Sequence, residues 1–313
     1  MREHPPHVSD DDVRSLLWAH WLPDVEQVTH LPVGFGAWHW QAWAGGRPVL
    51  FVTLDQLGER HTHKSLEGAY GAASALAARG LEFVLPQRRT VLGQCTVALG
   101  DDRLSATPWL EGTSGDGSFR DEAHARATLD LLERLHAETG TPALPRWRPL
   151  VHPSFASRLD ERTAQPWRSG PYAEEARSAL RQRLSEIRQW TADYHRLAAA
   201  TDPASWVPTH GEPHTRNQVM TQAGTYLVDW ESLKLAPRER DLATLVEHGW
   251  GDLVPAADPA LLAMFDLEWR LDEIAQYAAW FEAEHSGSES DRVALAGLRH
   301  ELLREPRNTA RCA

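Results

Sequence analysis

One stretch limits what this sequence can fold into. From Gly112 onward the chain reads as a series of amphipathic helices, except at residues 207–230, "VPTHGEPHTRNQVMTQAGTYLVDW". Proline and glycine interrupt the first part, which reads as a polar loop. The second part alternates apolar and polar residues about a turn at Ala223-Gly224, the pattern of a hairpin. A loop that gathers His210, Glu212, His214 and Asn217 is a place for chemistry.

The segment before Gly112 has a different texture. "SDDDVRSLLWAHWL" predicts a short helix, with Ser9 as its cap and Asp10, Asp11 and Asp12 at its positive end. "VTHLPVGFGAWHWQAWAGGRPVLFVTLD" alternates, turns at "AGGR" and alternates again. "HKSLEGAYGAASALAARG" predicts a helix closed by Gly80, and "LEFVLP", "QCTVALG" and "RLSATPWL" predict three further strands. Past Gly112, "RDEAHARATLDLLERLHAET" is helical. So are "AEEARSALRQRLSEIRQWTADYHRLAAA", read as one long helix, "PALLAMFDLEWRLDEIAQYAAWFEAEH" and "DRVALAGLRHELLRE". The expected class is α+β: a small antiparallel-sheet lobe over 1–110 and a larger, mainly helical lobe over 111–313, linked near Trp109–Gly112. Trp38 and Trp40 share a strand face and are expected to cover the core of the first lobe.

Composition narrows the function. The chain has 313 residues, 42% hydrophobic and 24% charged, so it can build an ordinary core. Its formal net charge of −12 gives no basic face for nucleic acid and suits a cationic small molecule. The two cysteines, Cys95 and Cys312, are too few for a disulfide framework, and a reducing cytoplasm is the expected location. No apolar run reaches the ~20 residues of a membrane span, and "MREHPPHVSDDD" lacks the apolar core of a signal peptide.

The loop carries the chemistry. His210-Gly211-Glu212, four residues and Asn217 reproduce the acid-to-amide spacing of the catalytic loop H-R-D-x-x-x-x-N, and the hairpin that follows ends at Asp229, where a metal-binding aspartate stands in D-F-G. "PTHGEPHTRN" with "LVDWE" resembles the aminoglycoside phosphotransferases and related small-molecule kinases, whose loop is H-G-D-x-x-x-x-N followed by I-D-[FWY]. The resemblance is specific over about 205–245 and weaker over about 28–112. It implies a protein-kinase-like bilobal fold and transfer of the γ-phosphate of ATP or GTP, with Mg²⁺, to a hydroxyl. It implies that Glu212 orients that hydroxyl, with His210 beside it in the catalytic loop, and that Asn217 and Asp229 hold the metal. Gly34 and Gly36 then form a shortened glycine loop over the phosphates. Trp109 and Leu110 form a hinge that meets the base, and Asp241 in "APRERDL" braces the catalytic loop.

Two positions depart from that pattern. Glu212 stands where the family has aspartate, which moves the carboxylate by about 1.5 Å. Thr53 stands where the strand lysine belongs, so Lys64, Arg88 or Arg89 must supply charge, or the metal alone must do so. Without that lysine Glu67 reads as an ordinary helix residue, and His210 itself reads as a packing residue rather than a base. His214 reads as solvent-facing, and a metal site built from H-x-E-x-H does not suit a helical second half. Glu231, with Asp266, Glu268, Asp272 and Glu273, is a candidate to receive amino groups of the acceptor, although acids on helix faces are more often simply solvated. The expected function is a kinase of an aminoglycoside-like antibiotic, serving resistance or self-protection. The alternatives are a kinase of choline, a sugar or a biosynthetic intermediate, and a nucleotide-binding pseudokinase.

Overall fold

Ser9 Oγ accepts the Asp12 N–H at 3.1 Å while the Asp12 carboxylate accepts the Ser9 N–H at 2.9 Å. This reciprocal cap starts α1 (Asp10–His20) in the computed structural model, which describes residues 3–34, 37–58, 61–139 and 144–305. β1 (Gln27–Leu31), β2 (Trp38–Ala44) and β3 (Arg47–Asp55) follow as an antiparallel meander. α2 (His63–Ala78) then crosses to β4 (Thr96–Leu99) and β5 (Asp102–Pro108), completing a five-stranded sheet of order β1-β2-β3-β5-β4.

The period-2 pattern decides which side chains are buried. Trp40, Ala42, Leu50, Val52, Leu54 and Leu104 face one way and pack with Val13 and Leu17 of α1. Trp40 is fully buried, as expected of a core residue, and its indole N–H donates to Asp10 at 2.8 Å. Trp38 packs against the same cluster. The opposite face presents His39, Phe51 and Thr53, with His39 and Thr53 directly paired across β2 and β3.

"LEFVLP" is not a strand. Val84 makes one bridge to Leu227, the Leu85 N–H donates to the Leu227 carbonyl, and the Leu227 N–H donates to Phe83. Its apolar residues instead enter a core with α2, Leu132 and Leu135, and with Trp230 and Leu233 from beyond the hairpin.

The chain continues through β6 (Gly112–Ser114), α3 (Glu122–His136), α4 (Phe155–Arg162), α5 (Ala173–Gln182) and α6 (Leu184–Ala198). After these come β7 (Val207–Thr209), β8 (Gln218–Thr221), β9 (Gly224–Leu227), β10 (Lys234–Ala236), α7 (Glu239–Glu247), α8 (Pro259–Glu282) and α9 (Glu289–Leu303). The expected long helix over 173–200 is therefore two. Arg183 breaks it with φ −109° and ψ 12°. Neither Gly nor Pro marks that break; packing imposes it, because α5 lies on α8 and α9 while α6 lies on α4 and α8. The β8–β9 hairpin forms as read, and β6 adds a third strand beside β8.

Two compact units result. One is Met1–Arg146 with Val207–Asp241; the other is Trp147–Trp206 with Leu242 onward. The loop and hairpin thus pack with the strand-rich part, whereas the lobe boundary read near residue 110 follows the change from strand to helix. In the second unit the acids considered for an acceptor have structural partners. Asp266 pairs with Arg304 at 2.6 Å, Glu268 accepts from Trp147 and Tyr194, and Asp272 accepts from Gln276. Glu273 hydrogen-bonds Tyr277. No helix among the described residues is long and apolar enough to cross a membrane.

Candidate active site

The polar loop is suspended between β7 and the hairpin. β7 pairs with β10, which brings Thr209 opposite Lys234. Asp241, at 0% exposure, then holds the loop's first turn. One carboxylate oxygen accepts the Gly211 N–H at 2.6 Å; the other accepts the His210 N–H at 3.0 Å and His136 Nε2 of α3 at 2.9 Å. Burial alone would push the Asp241 carboxyl up. The His136 bond, with the charges of His136 and Arg240, holds it below its ordinary range. Gly211 adopts φ +100°, and the Arg240 guanidinium occupies the place a Cβ would take, so this position has no room for a side chain.

His210 is wholly buried. Its Nε2–H donates to the Val228 carbonyl at 2.9 Å and its Nδ1 accepts the Glu212 N–H at 3.2 Å, while its ring packs on Trp230 with centroids 4.5 Å apart. Burial pushes its pKa down, so it stays neutral. Both nitrogens are committed to backbone. His210 therefore braces the loop, with neither ring nitrogen left over for a further partner. Gln218 does similar work: it accepts from Thr128 and lies 3.2 Å from His124, both on α3, and donates to the Pro213 carbonyl at 2.9 Å.

These braces present a carboxylate and an amide. Glu212 is half-buried, with His214 Nε2 3.9 Å from its Oε2, so His214 faces Glu212 rather than only solvent. Asn217 donates through Nδ2 to the Glu212 carbonyl at 3.0 Å, so its Oδ1, an acceptor, takes no part in that bond. The Val228 N–H donates to the Asn217 carbonyl, tying the hairpin's far end to this amide. Asp229 follows with φ 69° and ψ 60°, the sole left-handed non-glycine residue among those described. Aspartate tolerates that conformation better than most residues, and such strain collects at functional sites.

Carboxylates crowd here. Glu231 hydrogen-bonds Asp229; burial first, and then the Asp229 charge, push its pKa well above the carboxylate range. Glu231 thus pairs with a neighbouring acid, and its Oε2 is buried without a hydrogen-bond partner among the described residues. Asp55, at the end of β3, is buried beneath the Tyr70 hydroxyl at 2.9 Å; burial and then Asp229 raise it to about 7. Glu212 also acts on Glu231. Clustered oxygen donors suit a hard divalent cation. Among the described residues no group of three His, Cys, Asp or Glu could hold a metal by itself, so such a cation would need Asn217 and phosphate oxygens as well. In H-x-E-x-H, His210 has both ring nitrogens engaged by backbone.

The remaining expectations divide. Glu67 accepts the N–H groups of Cys95 and Thr96 at 3.0 and 2.7 Å, fastening α2 to β4. Arg89 donates to Gly93, and Arg88 lines a separate cavity of about 370 Å³ with Trp109 and Val49. Trp109 and Leu110 line a cavity of about 390 Å³ with Glu111, Thr221, Gln222, Ala223 and Tyr226. The Trp109 N–H donates to Val49 at 3.0 Å, so a base at this edge would meet the Trp109 carbonyl or the Leu110 backbone instead. Gly34 has φ +73° and faces the His39 ring; Gly36 lies outside the described residues. Sequence reading missed His39, Asp55, His136 and Gln218, since each belongs to an ordinary strand or helix pattern.

The sequence model of the phosphotransferase enzyme family matches residues 28–280. This chain belongs to that family. The phosphotransferase is 27% identical over 262 residues to Protein StrN of Streptomyces griseus, covering 78% of each chain. Its fold is similar to that of a spectinomycin phosphotransferase in complex with ADP and spectinomycin, with TM-score 0.71, 16% identity and 98% of both chains covered. It is also similar to a choline/ethanolamine kinase family protein from Mesorhizobium loti, with TM-score 0.54, 17% identity and coverage of 96% and 98%. The α+β architecture is thus the kinase-like one, and the enzyme is a phosphotransferase.

Proposed function

We propose that this phosphotransferase moves the γ-phosphate of ATP or GTP to a hydroxyl of a cationic, aminoglycoside-like small molecule, as a resistance or self-protection enzyme. The reading rests on one observation. Asp241 and His210 hold Glu212 and Asn217 on a single braced loop whose far end is tied, through Val228, to Asp229. In it Glu212 accepts the acceptor hydroxyl's hydrogen bond and takes its proton. Asn217 Oδ1 and Asp229 would hold Mg²⁺, with Glu231 at its edge, and the metal would neutralise charge on the phosphates. Gly34, and Gly36 with it, would close over the phosphates, and the base would lie against Trp109 and Leu110. The lobes are drawn at 1–110 and 111–313, and the cytoplasm suits the free, buried Cys95.

The partners found for Asp266, Glu268, Asp272 and Glu273 favour a second reading of the acceptor. With those acids engaged structurally, a neutral metabolite such as a sugar competes with a cationic antibiotic. A nucleotide-consumption screen with Mg–ATP and Mg–GTP over aminocyclitols, aminoglycosides, choline and sugars decides between them. Turnover with a cationic aminocyclitol or aminoglycoside supports the first reading, and turnover with a sugar alone supports the second. Nucleotide binding without turnover on any acceptor would indicate a pseudokinase.

A further inference from the structure

A kinase site of this type places a lysine on the third strand to meet the phosphates. Thr53 holds that position; Arg89 is spent on the Gly93 carbonyl, Arg88 lines the cavity beside Trp109, and Lys64 stands exposed in the first turn of α2. On the β2 side Thr53 pairs with His39, so both side chains leave the same face. His39 Nδ1 lies 3.2 Å from Thr53 Oγ1. Its other nitrogen points along the turn: a Cβ on Gly34 would sit 2.8 Å from Nε2. The ring lies under Phe51 with centroids 5.0 Å apart, and Phe51 in turn faces Trp109 at 6.4 Å. One face thus carries an aromatic line from the base-side cavity at Trp109 to the glycine turn. At its phosphate end it carries an imidazole within the field of Asp229.

We propose that His39 replaces the missing strand lysine, with Nε2–H donating to a phosphate oxygen of the bound nucleotide and Thr53 fixing the ring. This rests on the nucleotide-dependent reading above. In this arrangement the Thr53 hydroxyl would donate to Nδ1 and the ring's proton would sit on Nε2, the nitrogen beside the turn and without a hydrogen-bond partner among the described residues. Burial holds the imidazole down to about 4 despite the pull of Asp229, so His39 acts as a neutral, directed donor and the metal carries the positive charge. Gly34 is needed for two reasons: its φ of +73°, and the closeness of the His39 ring, which a side chain there would displace.

The test compares Mg–ATP, Mg–ADP and adenosine binding by calorimetry in wild type, His39→Ala and His39→Gln. Loss of a hydrogen bond to a charged group weakens binding by about tenfold to a hundredfold. His39→Ala is expected to lose that much on ATP and ADP and to keep adenosine affinity, which also shows that the variant is folded. His39→Gln keeps a donor near the Nε2 position and is expected to recover most of the loss. Equal weakening of ATP and adenosine would make His39 a packing partner of Phe51 and overturn the proposal, as would unchanged ATP affinity in His39→Ala. If the wild type takes the guanine set instead, the same comparison is made with Mg–GTP, Mg–GDP and guanosine; wild type that binds neither set would overturn the nucleotide-dependent reading itself.

Discussion

Asp241 accepts the backbone N–H of His210 at 3.0 Å, across 31 positions of sequence and with no exposure to solvent. The same carboxylate holds the Gly211 N–H and His136. A buried acceptor that satisfies three donors is costly to weaken. Asp241→Asn puts an amide NH₂ opposite one of these N–H groups. It is expected to lower stability by about 1–3 kcal/mol and to abolish most turnover, read by thermal denaturation and by nucleotide consumption. Because the Asp241 pKa is depressed in the folded state, its contribution is present above the unfolded value and is lost as pH falls through the folded one. The wild type should lose its advantage over the variant in strong acid.

Asp55 works in the opposite direction. Its folded pKa of about 7 lies above the free value of 3.8, so the folded protein holds a proton that the unfolded chain has released. Stability should fall as pH rises through that window and stay low above it. In metal-free buffer, Asp55→Asn should flatten the slope and exceed wild type at pH 8 by on the order of a few kcal/mol, since asparagine still accepts from Tyr70. Parallel pH–stability curves for the two proteins would exclude Asp55 as the titrating group.

Glu212→Gln keeps the side chain's size and removes its capacity to take a proton. A positioned base is worth about 10²–10⁴ in rate, so single-turnover transfer should fall by that factor while nucleotide affinity barely changes. A turnover rate close to wild type would make the carboxylate a bystander.

Asp229 and Glu231 share a hydrogen bond that a cation should displace. Mg²⁺ with nucleotide is expected to raise the melting temperature of the wild type. Asp229→Asn should lose most of that increment, and Glu231→Gln only part of it. An undiminished shift in Asp229→Asn would move the metal away from this aspartate.

The hairpin, the loop ahead of it and the sheet meander were legible in the sequence, because turn chemistry and period-2 burial are local. Trp40 could be placed in the core from alternation alone. So could the spacing of Glu212, Asn217 and Asp229, since backbone rise fixes what a short loop and hairpin bring together. The break at Arg183, the loss of the expected strand at 81–85 and the partners of Asp266, Glu268 and Asp272 depend on what packs against them. No residue nearby in sequence announces that. The same holds for His39 beside Thr53, for Asp55 beneath Tyr70 and for His136 on Asp241. The sequence by itself determined which groups could do phosphoryl chemistry. Tertiary structure decided which are buried, which are shared and which are turned toward the site, because desolvation and hydrogen bonding across the fold set the charge and direction of each side chain.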